Sequence, residues 1–290
     1  VEISLQNEKL GSEIFYTLGD KRINLYSGKP IADSLAFKIN LKDSVGYQVD
    51  SLIWAKFEES DRKLEKLTVI PNSGKSFYQK LPVELIFNKP LKTIKYDSLY
   101  LAYDTASFIP ITPEMLSFKD SLRRDVLEIN LSIPDSILFE SFTLKAADST
   151  FIDVEGQFND VAISAIYKKL KKETLADAIE GTIEGAEAPF IIQLLDSKGE
   201  PKREAYIETG NKFAFNLIEA GNYQIRVIED VNGNKRWDPA NFEEKRYAER
   251  VFNYIDPETG NKNITIRGGW TLVDQVIRAA PKTGLKTTQN

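Results

Sequence analysis

Four stretches of the chain alternate apolar and polar residues, and this period of two is the feature that most constrains the fold. The stretches are SLAFKINL (34–41), VLEINLSI (126–133), KFAFNL (212–217) and NYQIRV (222–227). Successive side chains of a β-strand point to opposite faces, so each stretch predicts a strand with one buried and one solvated face. The predicted core positions are Leu35, Phe37, Ile39, Leu41, Leu127, Ile129, Leu131, Ile133, Phe213, Phe215, Leu217, Tyr223, Ile225 and Val227.

Turn signals separate these strands at short intervals, as in SGKP (27–30), NSGK (72–75), DSKGEP (196–201) and TGNK (209–212). Such spacing is typical of β-sandwiches. The best helical candidate is VAISAIYKKLKKETLADA (161–178), which we interpret as a strand followed by a linker. The sequence therefore predicts an all-β protein made of tandem β-sandwich domains.

The chain contains no Cys and no His. Thiol nucleophiles, Cys-based zinc sites, His metal ligands and His general bases are therefore excluded. Catalysis would have to rest on carboxylates, Lys, Tyr or Ser. Neither a Gly-rich phosphate loop nor a nucleophile elbow is present. We therefore expect a protein that is not an enzyme.

The net charge of −5 argues against nucleic acid as a partner, because phosphate binding needs clustered Lys and Arg. The one basic cluster, KKLKKE (168–173), is short and fits a solvated face. No run of about 18 apolar residues occurs, so the sequence predicts no membrane-spanning helix. The strand-like opening VEISLQNEKL (1–10) suggests a processed protein or a fragment of a longer one.

The strand and turn pattern suggests four segments. Residues 1–62 are β-rich and resemble the end of a domain that begins upstream. Residues 63–177 and 178–278 are each expected to form one β-sandwich. Residues 279–290 have no apolar pattern and are expected to form a flexible tail.

Two stretches of the second segment carry a resemblance to the bacterial Ig-like domain. In LPVELIFNKPLKTIKYDSLYLAYD (81–104), an alternating strand ends in a polar residue and Pro, and the next strand follows a short turn. A Pro cannot donate to a strand ladder, which is consistent with a strand end there. GQFNDVA (156–162) resembles the last loop of that domain.

The third segment resembles a prealbumin-like or carboxypeptidase-regulatory-like sandwich. PFIIQLLDSKGEPKREAYIETGNKFAFNLIEAGNYQIRVIEDVNGNKRWDP (189–239) has that family's order of strands and turns. With RYAERVFNY (246–254) and ITIRGGWTLVDQVI (264–277), the chain resembles the C-terminal part of Ig-like-domain lipoproteins of Bacteroidota.

This resemblance implies a location in the cell envelope, at the outer membrane, with a lipid anchor outside this chain. It implies a structural or protein-interaction module with other envelope proteins as partners, such as an accessory subunit of an outer-membrane complex. The alternative is a carbohydrate-binding or adhesive surface module. A row of exposed, coplanar aromatic rings would favour that alternative.

A polar loop in the third segment is a candidate Ca²⁺ site. Asp230, Asn232, Asn234 and Asp238 occupy positions 1, 3, 5 and 9, and Arg236 could offer its backbone carbonyl at position 7. Calcium takes six to eight oxygen ligands, which acidic loops supply at odd positions. Gly233 at position 4 and Asn241 at position 12 depart from the EF-hand pattern.

Two interpretations of this loop remain open. It is either an Asn-Gly turn that closes a hairpin, or the same turn with a weak Ca²⁺ site. Glu243 and Glu244 follow position 12 and could replace its missing carboxylate.

Other candidate site residues fit a structural role better. The adjacent pairs Glu58–Glu59 and Glu243–Glu244 would point to opposite faces of a strand, which is poor geometry for acid–base catalysis. The three Trp residues could stack on sugars, but at strand-like positions we expect them to pack against sheets.

Asp followed by Ser or Thr and then by an apolar or small residue recurs along the first two segments. This pattern opens turns, because Asp and Ser side chains bond nearby backbone N–H groups. It also resembles the O-glycosylation sequon of Bacteroidota envelope proteins. The candidate hydroxyls are Ser34, Ser44, Ser51, Ser98, Thr105, Ser121, Ser136 and Ser149.

Overall fold

The computed structural model describes residues 2–6, 14–19, 22–28, 34–42, 47–55, 61, 63–242 and 245–279. Within these residues the fold is all-β, with several antiparallel sheets, short 3₁₀ turns and no α-helix. The 3₁₀ turns are Tyr96–Ser98, Pro113–Met115 and Lys172–Thr174. The chain divides into two compact units, residues 1–170 and 171–290. The expected division into four segments remains a prediction.

The strands of unit 1 are β1 (Glu2–Gln6), β2 (Ile14–Leu18), β3 (Ile23–Ser27), β4 (Leu35–Lys42), β5 (Gln48–Ala55), β6 (Val69–Pro71), β7 (Ser76–Phe77), β8 (Lys80–Phe87), β9 (Leu91–Ile94), β10 (Leu99–Ala102), β11 (Phe108–Pro110), β12 (Leu116–Phe118), β13 (Val126–Ser132), β14 (Ser141–Ala146), β15 (Phe151–Asp153) and β16 (Ile163–Lys169). The strands of unit 2 are β17 (Leu175–Glu184), β18 (Phe190–Leu195), β19 (Pro201–Ile207), β20 (Lys212–Glu219), β21 (Gly221–Glu229), β22 (Val251–Asn253), β23 (Ile264–Ile266) and β24 (Thr271–Arg278).

The main body of unit 1 is sandwich-like. One sheet has the order β11-β10-β14-β16-β7, and another has the order β12-β13-β8-β6. Both sheets contribute side chains to a single core, for example Leu85 from β8, Ile129 from β13 and Phe142 from β14. Edge-to-face packing of Phe77 on Phe142, with ring centroids 5.5 Å apart, fills space in this core.

The first five strands form two smaller sheets, β1-β4-β5 and β2-β3. They enclose a small core of Ile14, Tyr16, Phe37 and Ile39. Tyr16 joins this part to the sandwich, because its backbone N–H donates to the Leu122 carbonyl at 3.2 Å. These five strands therefore belong to the same compact unit as the sandwich.

Unit 2 is built from the sheet β20-β17-β24 and the sheet β19-β18-β21-β22, with β23 also paired to β21. Both sheets line one core, to which Ile179 of β17, Ile192 of β18 and Ile225 of β21 contribute. β17 and β24 run parallel, whereas β17 and β20 run antiparallel. Residues 161–178 contain β16, a 3₁₀ turn and the start of β17. The expected strand is confirmed, but the linker is shorter than expected because β17 already begins at Leu175.

The alternating stretches form strands as expected. Phe37 and Ile39 of β4, Leu127 and Ile129 of β13, and Tyr223 of β21 are all buried. Leu41 is only half-buried, and the side chain of Leu35 is outside the described part of the structure. The expectation for Leu217 is wrong, because Leu217 is only half-buried and the next residue, Ile218, enters the core. Leu217 has a φ of 52°, and this left-handed backbone shifts the inward position by one residue.

No helix in the described ranges is long and apolar enough to cross a membrane.

Candidate functional site

The polar loop of residues 230–250 connects the neighbouring antiparallel strands β21 and β22. Asp230 starts the loop and is completely buried. Its backbone N–H donates to the Pro189 carbonyl at 3.0 Å. Its carboxylate accepts the backbone N–H of Asn234 at 3.2 Å and that of Lys235 at 2.9 Å. Asp230 thereby folds the chain into a tight turn.

The turn requires backbone conformations that are rare for L-residues. Gly233 has a φ of 71° and Lys235 a φ of 63°. Glycine adopts this conformation without steric cost, which accounts for the Asn-Gly sequence at this point. The turn expected from the sequence is therefore present.

The two Asn side chains converge on Asp238, which is also buried. The Nδ2 groups of Asn232 and Asn234 each donate to Asp238 Oδ2 at 2.5 Å. The Oδ1 of Asn234 accepts the backbone N–H of Arg236 at 3.0 Å. The structure therefore brings Asp230, Asn232, Asn234 and Asp238 together around one short turn.

Arg236 contributes a side chain to this cluster. Its Nε lies 3.5 Å from Asp238 Oδ1. The guanidinium therefore lies beside the Asp238 carboxylate, on one of the sides from which a cation would approach. The sequence indicates only a backbone carbonyl from Arg236, so this side-chain contact is an addition to the expected site.

Glu249 is the residue of this site that sequence reasoning missed. Its Oε1 accepts the Val231 N–H at 2.9 Å, and its Oε2 accepts the Asp238 N–H at 2.9 Å. It thus ties the beginning of the loop to its end. Glu243 and Glu244, expected to supply the additional carboxylate, lie outside the described residues.

The local electrostatics favour a charged Asp238. Burial raises the pKa of this carboxyl. Hydrogen bonds from Asn232 and Asn234 and the charges of Arg236 and Arg246 together lower the pKa by more, so the net shift is downward. A lowered pKa in the folded state stabilises the fold above the ordinary pKa of Asp. This contribution is lost as the pH falls through the lowered value.

The acidic side chains alone do not make a metal centre. Across the described part of the chain, no three or more Asp or Glu side chains are grouped so that they could hold a metal ion. Any ion in this loop would depend on amide and backbone oxygens in addition to carboxylates.

The expectation that the three Trp side chains pack against sheets needs correction. Trp54, Trp237 and Trp270 are 68%, 48% and 45% exposed. Trp237 is nevertheless fixed, because its indole N–H donates to the Glu249 carbonyl at 3.1 Å. The Arg267 guanidinium lies 5.2 Å from the centroid of the Trp270 ring.

The pair Glu58–Glu59 lies outside the described residues.

The candidate glycosylation hydroxyls differ in exposure. Ser51, Thr105, Ser121 and Ser136 are exposed, and Ser34, Ser98 and Ser149 are half-buried. Ser44 lies outside the described residues. Asp120 Oδ1 accepts the backbone N–H of Leu122 at 2.8 Å, which is the turn-opening role expected for this motif.

No protein-family model matches the chain, and a search of curated proteins gave no match.

Proposed function

We propose that the chain is a non-catalytic structural or protein-interaction module of the bacterial cell envelope. In this proposal an Ig-like sandwich and a prealbumin-like sandwich form the module, which is attached to the outer membrane through a lipid anchor outside this chain. Its partners are other envelope proteins. The sandwich-like sheets of both units support this interpretation.

The observation that carries the proposal is the exposed apolar surface of β5. Among the described strands, β5 is one of the two edges of the sheet β1-β4-β5. Leu52 and Trp54 lie two residues apart, so they share a face, and they are 61% and 68% exposed. An open strand edge with large exposed apolar side chains is a surface that a protein partner can cover.

A photo-crosslinking amino acid at position 54 tests this proposal in the native host. We expect envelope proteins to be captured at position 54 but not at position 270, which is an exposed Trp position in unit 2. Equal capture at both positions, or recovery of the protein in the cytosolic fraction, would contradict the proposal.

We further propose that the loop of residues 230–238 holds a weakly bound Ca²⁺ ion that stiffens it. The support is the convergence of oxygen-bearing side chains, because the carboxylates of Asp230 and Asp238 and the amides of Asn232 and Asn234 lie around one short turn. Rotation of the Asn232 and Asn234 amides would turn two oxygens toward an ion beside Asp238, in exchange for the hydrogen bonds that these oxygens now accept from the Asn234 and Arg236 N–H groups.

Calcium is expected to raise the melting temperature of the protein. Loops of this kind bind with a Kd of roughly 10⁻⁴–10⁻³ M, so about 10 mM Ca²⁺ stabilises the fold by about 1.5–3 kcal/mol. Asp230→Ala should abolish the shift. Asp256→Ala is the control, because Asp256 opens a separate turn by accepting the Thr259 N–H at 2.8 Å. An unchanged melting temperature in calcium would leave only the turn.

We also propose O-glycosylation of at least one Asp-Ser or Asp-Thr hydroxyl. Thr105 and Ser121 are both exposed and lie outside the strands, where a glycan can be attached. Protein purified from its own host is therefore expected to exceed the mass of the bare polypeptide. Intact-mass spectrometry measures this difference, and peptide mapping locates it. A mass equal to that of the bare polypeptide would contradict the proposal.

A further inference from the structure

The sheet β19-β18-β21-β22 has a second buried surface besides its core face. Ile192 of β18 and Val227 of β21 pair in register and belong to the core of unit 2. Their neighbours Ile191 and Ile228 also pair in register, so they point to the opposite face. Both are nevertheless buried, at 3% and 6% exposure. Something other than the core therefore covers this outer face.

The polar loop lies beside this outer face. Lys235, Arg236 and Trp237 line one groove of about 440 Å³ together with the outer-face residues of the sheet. Ile191, Ile228 and Val251 supply the apolar part of its lining. The volume lies within the range of small-molecule sites, roughly 300–1,000 Å³.

A polar row crosses the sheet beside this apolar lining. Gln193 pairs in register with Glu204 on one side and with Arg226 on the other. Its Nε2 donates to Glu204 Oε2 at 2.8 Å, and its Oε1 accepts the Arg226 Nε–H at 2.8 Å. The three side chains therefore hold one another in position, so the row is preorganised for binding.

The charges around the groove favour an anion. Arg226, Lys235 and Arg236 line it, and Glu204 is its only acidic lining residue in the described part of the chain. Asp238, which lies 3.5 Å from Arg236 Nε, is outside the lining. Arg226 uses its Nε for Gln193, so its terminal guanidinium nitrogens are left to donate to a ligand. Lys235 Nζ lies 4.9 Å from the Tyr206 ring centroid and keeps its charge near the groove.

We propose that this groove binds an acidic sugar, a pyranose ring that carries a carboxylate. The carboxylate would accept hydrogen bonds from Arg226 and Arg236, and the Glu204–Gln193 pair would bond ring hydroxyls. Trp237 and Val251, which are 48% and 47% exposed, would contact the apolar face of the ring. A small inorganic anion would leave these two side chains unused. The inference goes beyond the proposed function by giving the module a ligand.

Calorimetric titration of the full chain tests the inference with three probes: an oligogalacturonate, a neutral galactose oligosaccharide of the same length, and acetate at matched ionic strength. We expect the oligogalacturonate to bind at least tenfold more tightly than either of the others. Loss of a charge-assisted hydrogen bond in Arg226→Gln should weaken that binding by about tenfold or more.

Arg203→Gln is the matched control, because Arg203 lies on β19 outside the groove lining and should leave binding unchanged. If Arg226→Gln lowers the melting temperature, Arg236→Gln replaces it as the test. The inference would be overturned by equal binding of the acidic and neutral oligosaccharides, by acetate binding as tightly as oligogalacturonate, or by no binding of oligogalacturonate.

Discussion

Lys89→Met is expected to destabilise unit 1 by about 3–5 kcal/mol, because it leaves a buried carboxylate without its cation. Lys89 and Asp153 are 1% and 0% exposed, and Lys89 Nζ lies 2.9 Å from Asp153 Oδ2. The ammonium also donates to Glu155 Oε2 at 2.9 Å and to the Glu65 carbonyl. Burial lowers the pKa of Lys89, but these partners raise it by more, so the net pKa is raised.

Denaturant unfolding measures the loss of stability, and hydrogen exchange in β8 and β9 locates it. Lys95→Met is the control, because Lys95 is exposed and lies close to Lys89 in the sequence. Adding Asp153→Asn to Lys89→Met should recover part of the stability. The amide oxygen can still accept the N–H groups that Asp153 Oδ1 now accepts from Glu155 and Gln157. A loss no larger than that of Lys95→Met would show that the buried pair contributes little.

Local patterns in the sequence predict the strands well. Alternation identifies β4, β13 and β21 because a half-buried strand imposes a period of two on its own residues. The Asp and Asn residues of the polar loop are recognisable for a similar reason, since they lie within nine consecutive positions. Leu217 is misplaced because a single left-handed residue interrupts the period without a glycine to mark it.

Partners that are distant in sequence could not be predicted. Lys89 meets Asp153 only after β9 and β15 have paired, and nothing near either residue indicates the other. Glu249 reaches Asp238 because β22 returns beside β21. The row Glu204–Gln193–Arg226 depends on the register of three strands. Each of these contacts is fixed by tertiary pairing rather than by local sequence.

Gly181→Ala is expected to destabilise unit 2 by about 3 kcal/mol or more, because there is no room for a Cβ atom. A Cβ at this position would lie 2.0 Å from the Gln275 carbonyl oxygen and 2.7 Å from the Phe213 ring. The register of β17 and β24 shifts between Ile179 and Gly181, and Asp274 beside it has a φ of 59°.

The close approach involves backbone on both strands, so rotation of a side chain cannot relieve it, and β24 would have to move away from β17. Gly221→Ala is the matched control, because a Cβ there makes its nearest contact at 3.4 Å, with the Tyr223 ring. Thermal unfolding and hydrogen exchange in β24 should show a large loss for Gly181→Ala and a small one for Gly221→Ala. Equal effects would mean that β17 and β24 can separate at little cost, and that the parallel pair does not hold this sheet together.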